Sequence, residues 1–182
     1  NIGESQDFDT LVAAADLLRE REDLHWVIVG SGRDEERVRS LVAERGLEGR
    51  FHFLGRYPEE AMPKFFAHAD AMLVSLKDIP IFALTVPYKV QCYLACGKPI
   101  IASLSGEGAR IVDASGAGIA VAPAQPQALA DAVTKMMDAS SSQRHAFAVN
   151  ARRYFDDNYD ASTAYDILEQ ALEHAARGHF TA

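Results

Sequence analysis

Apolar positions along the chain change spacing in a regular order, and that order predicts the fold. Phe8, Leu11, Val12, Ala15, Leu17 and Leu18 mostly follow the 3.6-residue period of a one-sided helix, with Ser5 placed to cap it. His25 to Val29 then reads as a β-rich strand running into Gly30-Ser31-Gly32. Asp34 to Arg45 is a charged helix that buries Val38, Leu41 and Val42 and stops at Gly46. Phe51 to Gly55 is the next strand, and Pro58-Glu59-Glu60 opens a helix with Met62, Phe65, Phe66 and Ala69 facing inward. Ala71 to Val74 is again all apolar.

The centre of the chain carries the densest signal. Pro87 suits the first turn of a helix reaching Ala95, Cys96-Gly97 ends it, and Pro99 to Ala102 supplies a short buried strand. Gly106 to Ala114 reads as a helix, Ile119 to Ala122 as a last strand, and Gln127 to Met137 as an amphipathic helix. Two polar helices, Ser141 to Phe155 and Ala161 to Ala176, joined at Asp156-Asp157-Asn158, must bury Phe147, Tyr154, Phe155, Tyr165, Ile167, Leu168 and Leu172. The tail from Gly178 to Ala182 is expected to fray. Strands apolar on both faces and separated by helices imply an α/β fold, a Rossmann-like parallel sheet with helices on both faces. Such a sheet opens on a strand, and none precedes the first helix, so the sheet begins one strand late or the domain is cut there.

Composition narrows the function classes. The 182 residues, 48% of them hydrophobic, suffice for one buried core and are few for two, so residues 1–182 are read as a single domain. A net charge of −8 without a basic block argues against nucleic acid as a partner and against a broad anionic membrane surface. Cys92 and Cys96 share a helix face, a spacing that makes neither a disulfide framework nor a metal site, and they read as small packers in a reducing compartment. No metal ligand set, Walker lysine or G-x-S-x-G elbow occurs, and no cofactor is implied. Gly30-Ser31-Gly32 lacks the third glycine of a dinucleotide fingerprint. No signal peptide or membrane-spanning run is seen.

In open α/β sheets, ligands bind beyond the carboxyl ends of the strands. Gly3, Gly30 to Gly32, Gly55-Arg56-Tyr57, Ser75 to Thr85 and Ser105 to Gly108 all fall there. Lys89, in the first turn of its helix, adds an ammonium to unpaired N–H groups, a setting for an anion such as phosphate. Plain readings stand beside these: Lys89 as a solvated helix residue, Arg56 as a surface arginine, Glu107 as a turn residue, and Cys92 as a core residue among Val74, Val90 and Ile101.

Val27-Ile28-Val29-Gly30-x-Gly32, Phe53-Leu54-Gly55-Arg56, Ala69-Asp70, Ala95 to Ala102 and Gly116-x-Gly118, in that order and spacing, resemble the C-terminal donor-binding half of family 4 retaining glycosyltransferases of the GT-B fold. Thr85 to Lys89 with Gly106 to Ala109 is similar to a bacterial branch of amino-sugar transferases, the L-fucosamine transferases among them, that build surface polysaccharide and O-antigen. The resemblance implies a nucleoside-diphosphate sugar, usually UDP-linked, and a separate N-terminal acceptor domain in a longer cytoplasmic protein, peripheral at the inner membrane through that domain. It puts the diphosphate at Gly3, Gly32 and Lys89, the nucleoside at Gly55, Arg56, Tyr57 and Cys92, and the sugar at Thr85 and Glu107, and it names no catalytic residue in this chain. Two family glutamates eight positions apart are here Leu84 and Cys92, and another is Arg110. The basic pair usual near the domain start is missing from Asn1 to Thr10, which puts weight on Lys89. A nucleotide-sugar 2-epimerase of the same fold and a non-catalytic binding module are the competing readings. The apolar face of the last helix, which in this fold often crosses to the partner domain, is expected to be exposed or to drive self-association.

Overall fold

The computed structural model describes residues 1–159 and 161–178. The elements are α1 (Phe8–Leu17), β1 (Trp26–Val29), α2 (Glu35–Glu44), β2 (Phe51–Gly55), α3 (Met62–His68), β3 (Met72–Ser75), α4 (Pro80–Ala83), α5 (Tyr88–Ala95), β4 (Ile100–Ser103), α6 (Glu107–Ser115), β5 (Gly118–Val121), α7 (Pro126–Asp138), α8 (Ser141–Tyr159) and α9 (Ala161–Gly178). All strand pairing is parallel, as expected for strands separated by helices. The strands form two groups, β1 with β2, and β3, β4 and β5 in that order.

Alternation along β3, β4 and β5 sends side chains to two cores. Leu73, Ile101, Ile119 and Val121 join the cluster built with α1, α2 and α7, where Val12, Val38 and Leu129 are fully buried. Met72, Val74, Ile100 and Ala102 join the cluster built with α5, α6 and α8 around Val90, Leu94 and Val112. Trp26, Ile28, Phe51 and Phe53 of β1 and β2 feed only the first cluster. On the other face of that pair, Val27 and Leu54 are exposed. The expected α/β fold, parallel strands flanked by helices, is the one observed.

Several local expectations are corrected. Ser5 does not cap α1; it lies in a 3-10 turn, Glu4–Gln6, and Asp7, with φ 49°, precedes the helix. The inward positions of α3 are only half-buried, because a helix of two turns on a sheet margin has little to pack against; Phe66 reaches the second core and stands edge-on to Tyr93. Asp156-Asp157-Asn158 is no joint: α8 continues to Tyr159, with Asp156 paired to Arg152 one turn back and the Asn158 amide donating to the Tyr154 carbonyl. The short α4 was not foreseen. Tyr165, Leu168 and Leu172 of α9 are exposed, as expected of an unpartnered face, whereas the side chain of Ile167 and the tail from residue 179 lie outside what the structure describes.

The amino-terminal residues are fastened by backbone contact. Ile2 is buried; its N–H donates to the Ser31 carbonyl at 3.0 Å and its carbonyl accepts from Asp34 N–H at 3.3 Å. A Cβ on Gly32 would lie 1.8 Å from the Ile2 carbonyl oxygen, so this crossing of two backbones admits only glycine. Gly32→Ala is therefore expected to destabilise the domain by about 1–3 kcal/mol, the range for forced overpacking. Gly49→Ala, where nothing lies within 4 Å, serves as the neutral control. Urea titration of the two variants side by side checks this, and equal midpoints would refute it.

Candidate functional site

The carboxyl ends of the strands form one rim, stitched by backbone contacts between successive loops. Gly30 N–H donates to the Gly55 carbonyl at 2.7 Å, Lys77 N–H to the Ser5 carbonyl at 3.0 Å, and the Lys77 ammonium to Glu4 at 3.0 Å. A Cβ on Gly106 would meet the Ala83 carbonyl oxygen at 1.9 Å, so α4 is pressed against the start of α6. On Gly108 it would come within 3.0 Å of Pro87 and Leu104, so α6 packs closely on the start of α5. The loops predicted from the glycines at strand ends thus meet at one rim.

Lys89 is the chemically distinctive residue on it. Its side chain is half-buried, burial alone pushes its pKa below the ordinary lysine value, and it makes no hydrogen bond or ion pair among the described residues. Its charge and that of Arg56 both lower the pKa of the Asn1 amino group, after the burial of that group itself, which puts the three within electrostatic reach. Arg56 is exposed and likewise has no carboxylate partner among the described residues. Of the acids on the rim, Glu4 is paired with Lys77 and Glu107 with Arg110. An unpaired cation that is partly desolvated and flanked by a second one is a site short of an anion.

The other predicted residues divide. Gly3 is on the rim, but its N–H already donates to the Gln6 side chain at 3.0 Å, so an anion there must displace Gln6. Gly32 is accounted for by its packing on Ile2. Gly55 closes β2 with φ 74°. Tyr57 is half exposed, its ring edge-on to Phe65 at 4.7 Å, and leaves an aromatic surface beside Arg56. Cys92 lies between the two sequence readings: it is half-buried against the core of Val74 and Val90, and its proximity to the Tyr88 phenol one turn earlier raises the pKa of that phenol. The Thr85 hydroxyl donates to the Phe82 carbonyl at 3.1 Å in the turn between α4 and α5. Glu107 holds Arg110 through Nε at 2.7 Å, and this hydrogen bond keeps its carboxyl below the usual glutamate range. Arg110, at the position of a family glutamate, thus pairs with the acid three residues before it.

Three polar side chains stand out that have no individual role in the sequence reading, where Ser75 appears only as the start of the Ser75 to Thr85 segment. Ser75 ends β3, Ser103 is its register partner at the end of β4, and both hydroxyls are buried without a hydrogen-bond partner among the described residues. One carboxylate oxygen of Asp7 is in the same condition. The sequence signal was a serine closing each of two otherwise apolar strands, Met72-Leu73-Val74-Ser75 and Ile100-Ile101-Ala102-Ser103. Among the described residues no group of three or more metal-ligating side chains occurs. A shallow hollow lined by Gly32, Arg33, Glu35, Glu36 and Arg39 borders the rim, but its two glutamates make it unsuited to an anion.

Comparison with known proteins bears on the family and the fold. The chain is 26% identical over 158 residues to an alpha-D-kanosaminyltransferase of Streptomyces kanamyceticus, covering 86% of this chain and 39% of that protein. It is 34% identical over 97 residues to the putative colanic acid biosynthesis glycosyl transferase WcaI of Escherichia coli K12, covering 53% of this chain and 23% of that one. Among solved structures it superposes on Anabaena Alr3699/HepE in complex with UDP with a TM-score of 0.81, at 19% identity, over 96% of this chain and 47% of that one. The chain thus spans less than half the length of each. The fold is that of the GT-B glycosyltransferases. The sequence pattern described as Glycosyl transferases group 1 matches residues 1–154, and the chain belongs to that family.

Proposed function

We propose that this chain is the donor-binding part of a bacterial glycosyltransferase and holds the diphosphate of a UDP-linked amino sugar at Lys89. The observation that carries the reading is the half-buried ammonium of Lys89, unpaired among the described residues and within electrostatic reach of Arg56 and Asn1. Desolvating a lysine without a partner is unfavourable, and an entering diphosphate supplies the missing charge. Arg56 and the exposed ring of Tyr57 border the same rim and would face the nucleoside, with Gly55 giving access to the backbone. Cys92 would lie under the ribose, one turn from Lys89, and Thr85 and Glu107 would line the sugar end.

The names of the relatives support the finer description. One transfers kanosamine, an amino sugar, another is assigned to colanic acid synthesis, and the Anabaena structure holds UDP. These favour an amino-sugar donor and a role in surface polysaccharide or O-antigen synthesis, near the L-fucosamine transferases. Acceptor and catalytic groups would come from an N-terminal domain facing the rim, in a cytoplasmic enzyme held at the inner membrane through that domain. No described helix is long and apolar enough to cross a membrane.

Lys89→Met tests the site through two readouts of opposite sign. A bond to a charged group contributes about 1.5–3 kcal/mol, so the variant should bind UDP roughly 10 to 100 times more weakly in calorimetry. Burial lowers the folded-state pKa of Lys89, so the unfolded chain holds that proton more tightly and the charged side chain opposes folding at neutral pH. The variant should therefore melt higher than the parent at pH 7, and the gap should close as the pH rises through the folded pKa toward the ordinary lysine value. Unchanged UDP affinity would sink the assignment.

The isolated chain should bind UDP but transfer no sugar, because the reacting groups would meet only in a cleft between two domains. Release of UDP from UDP-GlcNAc, followed by a coupled assay with and without candidate acceptors, measures this. Acceptor-dependent turnover by this chain alone would contradict it.

A further inference from the structure

The face of β1 and β2 that turns away from the core carries two imidazoles in contact. Trp26 and Phe51 are register partners, both buried, with their rings stacked 6.0 Å apart in the first core. Side chains alternate along a strand, so the residues beside these two are turned outward. They are His25, just before β1, and His52, within β2, on the same face as the exposed Val27 and Leu54. His25 Nδ1 and His52 Nε2 lie 2.9 Å apart, the ring centroids 5.0 Å apart and the ring planes tilted by 42°. His25 is exposed and His52 half-buried, so solvent and solutes reach the pair. Their spacing is set by the sheet: Trp26 N–H donates to the Arg50 carbonyl at 2.8 Å, and the ladder runs on from Trp26 and Phe51 to Val29 and Gly55. Two side chains carried on a hydrogen-bonded ladder, with buried aromatic residues next to each, are held in place before any ligand arrives.

Two imidazole nitrogens at this distance can share one proton or hold one metal ion. In the hydrogen-bonded state one of the facing nitrogens carries N–H and the other accepts. Moving that proton to the outward nitrogen of the same ring changes the tautomer and leaves both imidazoles neutral, and two lone pairs then face each other. Metal–imidazole bonds are about 2.0–2.1 Å long, so nitrogens 2.9 Å apart subtend roughly 90° at the metal. That is the cis angle of a square-planar or tetragonal ion, whereas the tetrahedral angle of zinc would need the nitrogens about 3.3 Å apart. We propose that His25 and His52 form a chelating site for copper(II) or nickel(II), with water completing the coordination. The site lies at the amino ends of β1 and β2, and Gly30 and Gly55 of the rim lie at their carboxyl ends, so the inference does not depend on what the rim binds. A bound ion ties the entry of β1 to β2 and, by binding only the folded arrangement, stabilises it as the ion concentration rises.

The test titrates copper(II) chloride and nickel(II) chloride into the untagged chain by calorimetry. Losing a residue that merely orients a metal ligand costs about 10- to 100-fold in affinity, so losing a ligand should cost at least about 10-fold. His25→Ala and His52→Ala should each show that loss, and His68→Ala, on α3, should bind as the parent does. The melting temperature should rise with nickel in the parent and not in the His25→Ala, His52→Ala double variant. The copper spectrum in electron paramagnetic resonance should carry the splitting of two imidazole nitrogens in the parent and of one in either single variant. Affinity unchanged in either single variant, equal loss in His68→Ala, or a single-nitrogen spectrum in the parent overturns the proposal. Should the variants not fold, copper added to the parent chain should broaden the amide signals of residues 25–27 and 51–53 before all others, and broadening centred elsewhere overturns it equally.

Discussion

The backbone crossing of Ile2 and Gly32 is the constraint from which the functional end of the molecule follows. Because Gly32 has no Cβ, the Ile2 carbonyl can press against it and accept from the residue preceding α2, while the Ile2 N–H reaches back to the end of β1. That contact fixes where α1 begins, and α1 covers the first core by packing on α7. It also sets Asn1 beside Lys89 and Arg56, so a packing requirement positions the positive end of the site. Gly106 against Ala83 repeats the device at the other end of the rim, holding α4 to α6. The rim is therefore shaped by places where two backbones meet too closely for any side chain, and Gly32 and Gly106 are explained by protein packing before any ligand arrives.

Much of this was legible in the sequence because apolar spacing is strong where burial is complete. β4, buried throughout, and α7, with a regular apolar stripe, were found within a residue or two at each end. Errors collected where local and tertiary preferences diverge. The acidic run at Asp156 to Asn158 looks like a break, yet Arg152 and the Tyr154 carbonyl hold it in α8. Ser5 has the chemistry of a cap, but its carbonyl is taken by Lys77, seventy-two residues away, and the helix starts later. Lys89 drew attention because a lysine behind a proline at a helix start has a mechanism of its own. The unpartnered side chains of Asp7, Ser75 and Ser103 were not foreseen because a single polar residue among apolar ones has no period to announce it.

The charge around the rim differs from the acidic total. A net −8 would repel a nucleoside diphosphate over the surface at large, so the proposed binding needs local attraction. Glu4 pairs with Lys77 and Glu107 with Arg110, while Lys89 and Arg56 have no carboxylate partner among the described residues. Ion pairs as exposed as these add little stability; their consequence is to mask two carboxylates that would otherwise offset the two cations. Lys89 stands on the opposite side of that balance: its burial opposes folding while it is charged, and a bound anion would offset that.

In a doubly wound sheet the ligand crevice opens where the loops after neighbouring strands diverge. Here residues 1–5 lie between the two strand groups, with Ile2 hydrogen-bonded to Ser31 after β1 and the Ser5 carbonyl accepting from Lys77 after β3. The two cations of the rim, Lys89 and Arg56, are held by α5 and by the end of β2, so their places follow from the packing on either side of that segment.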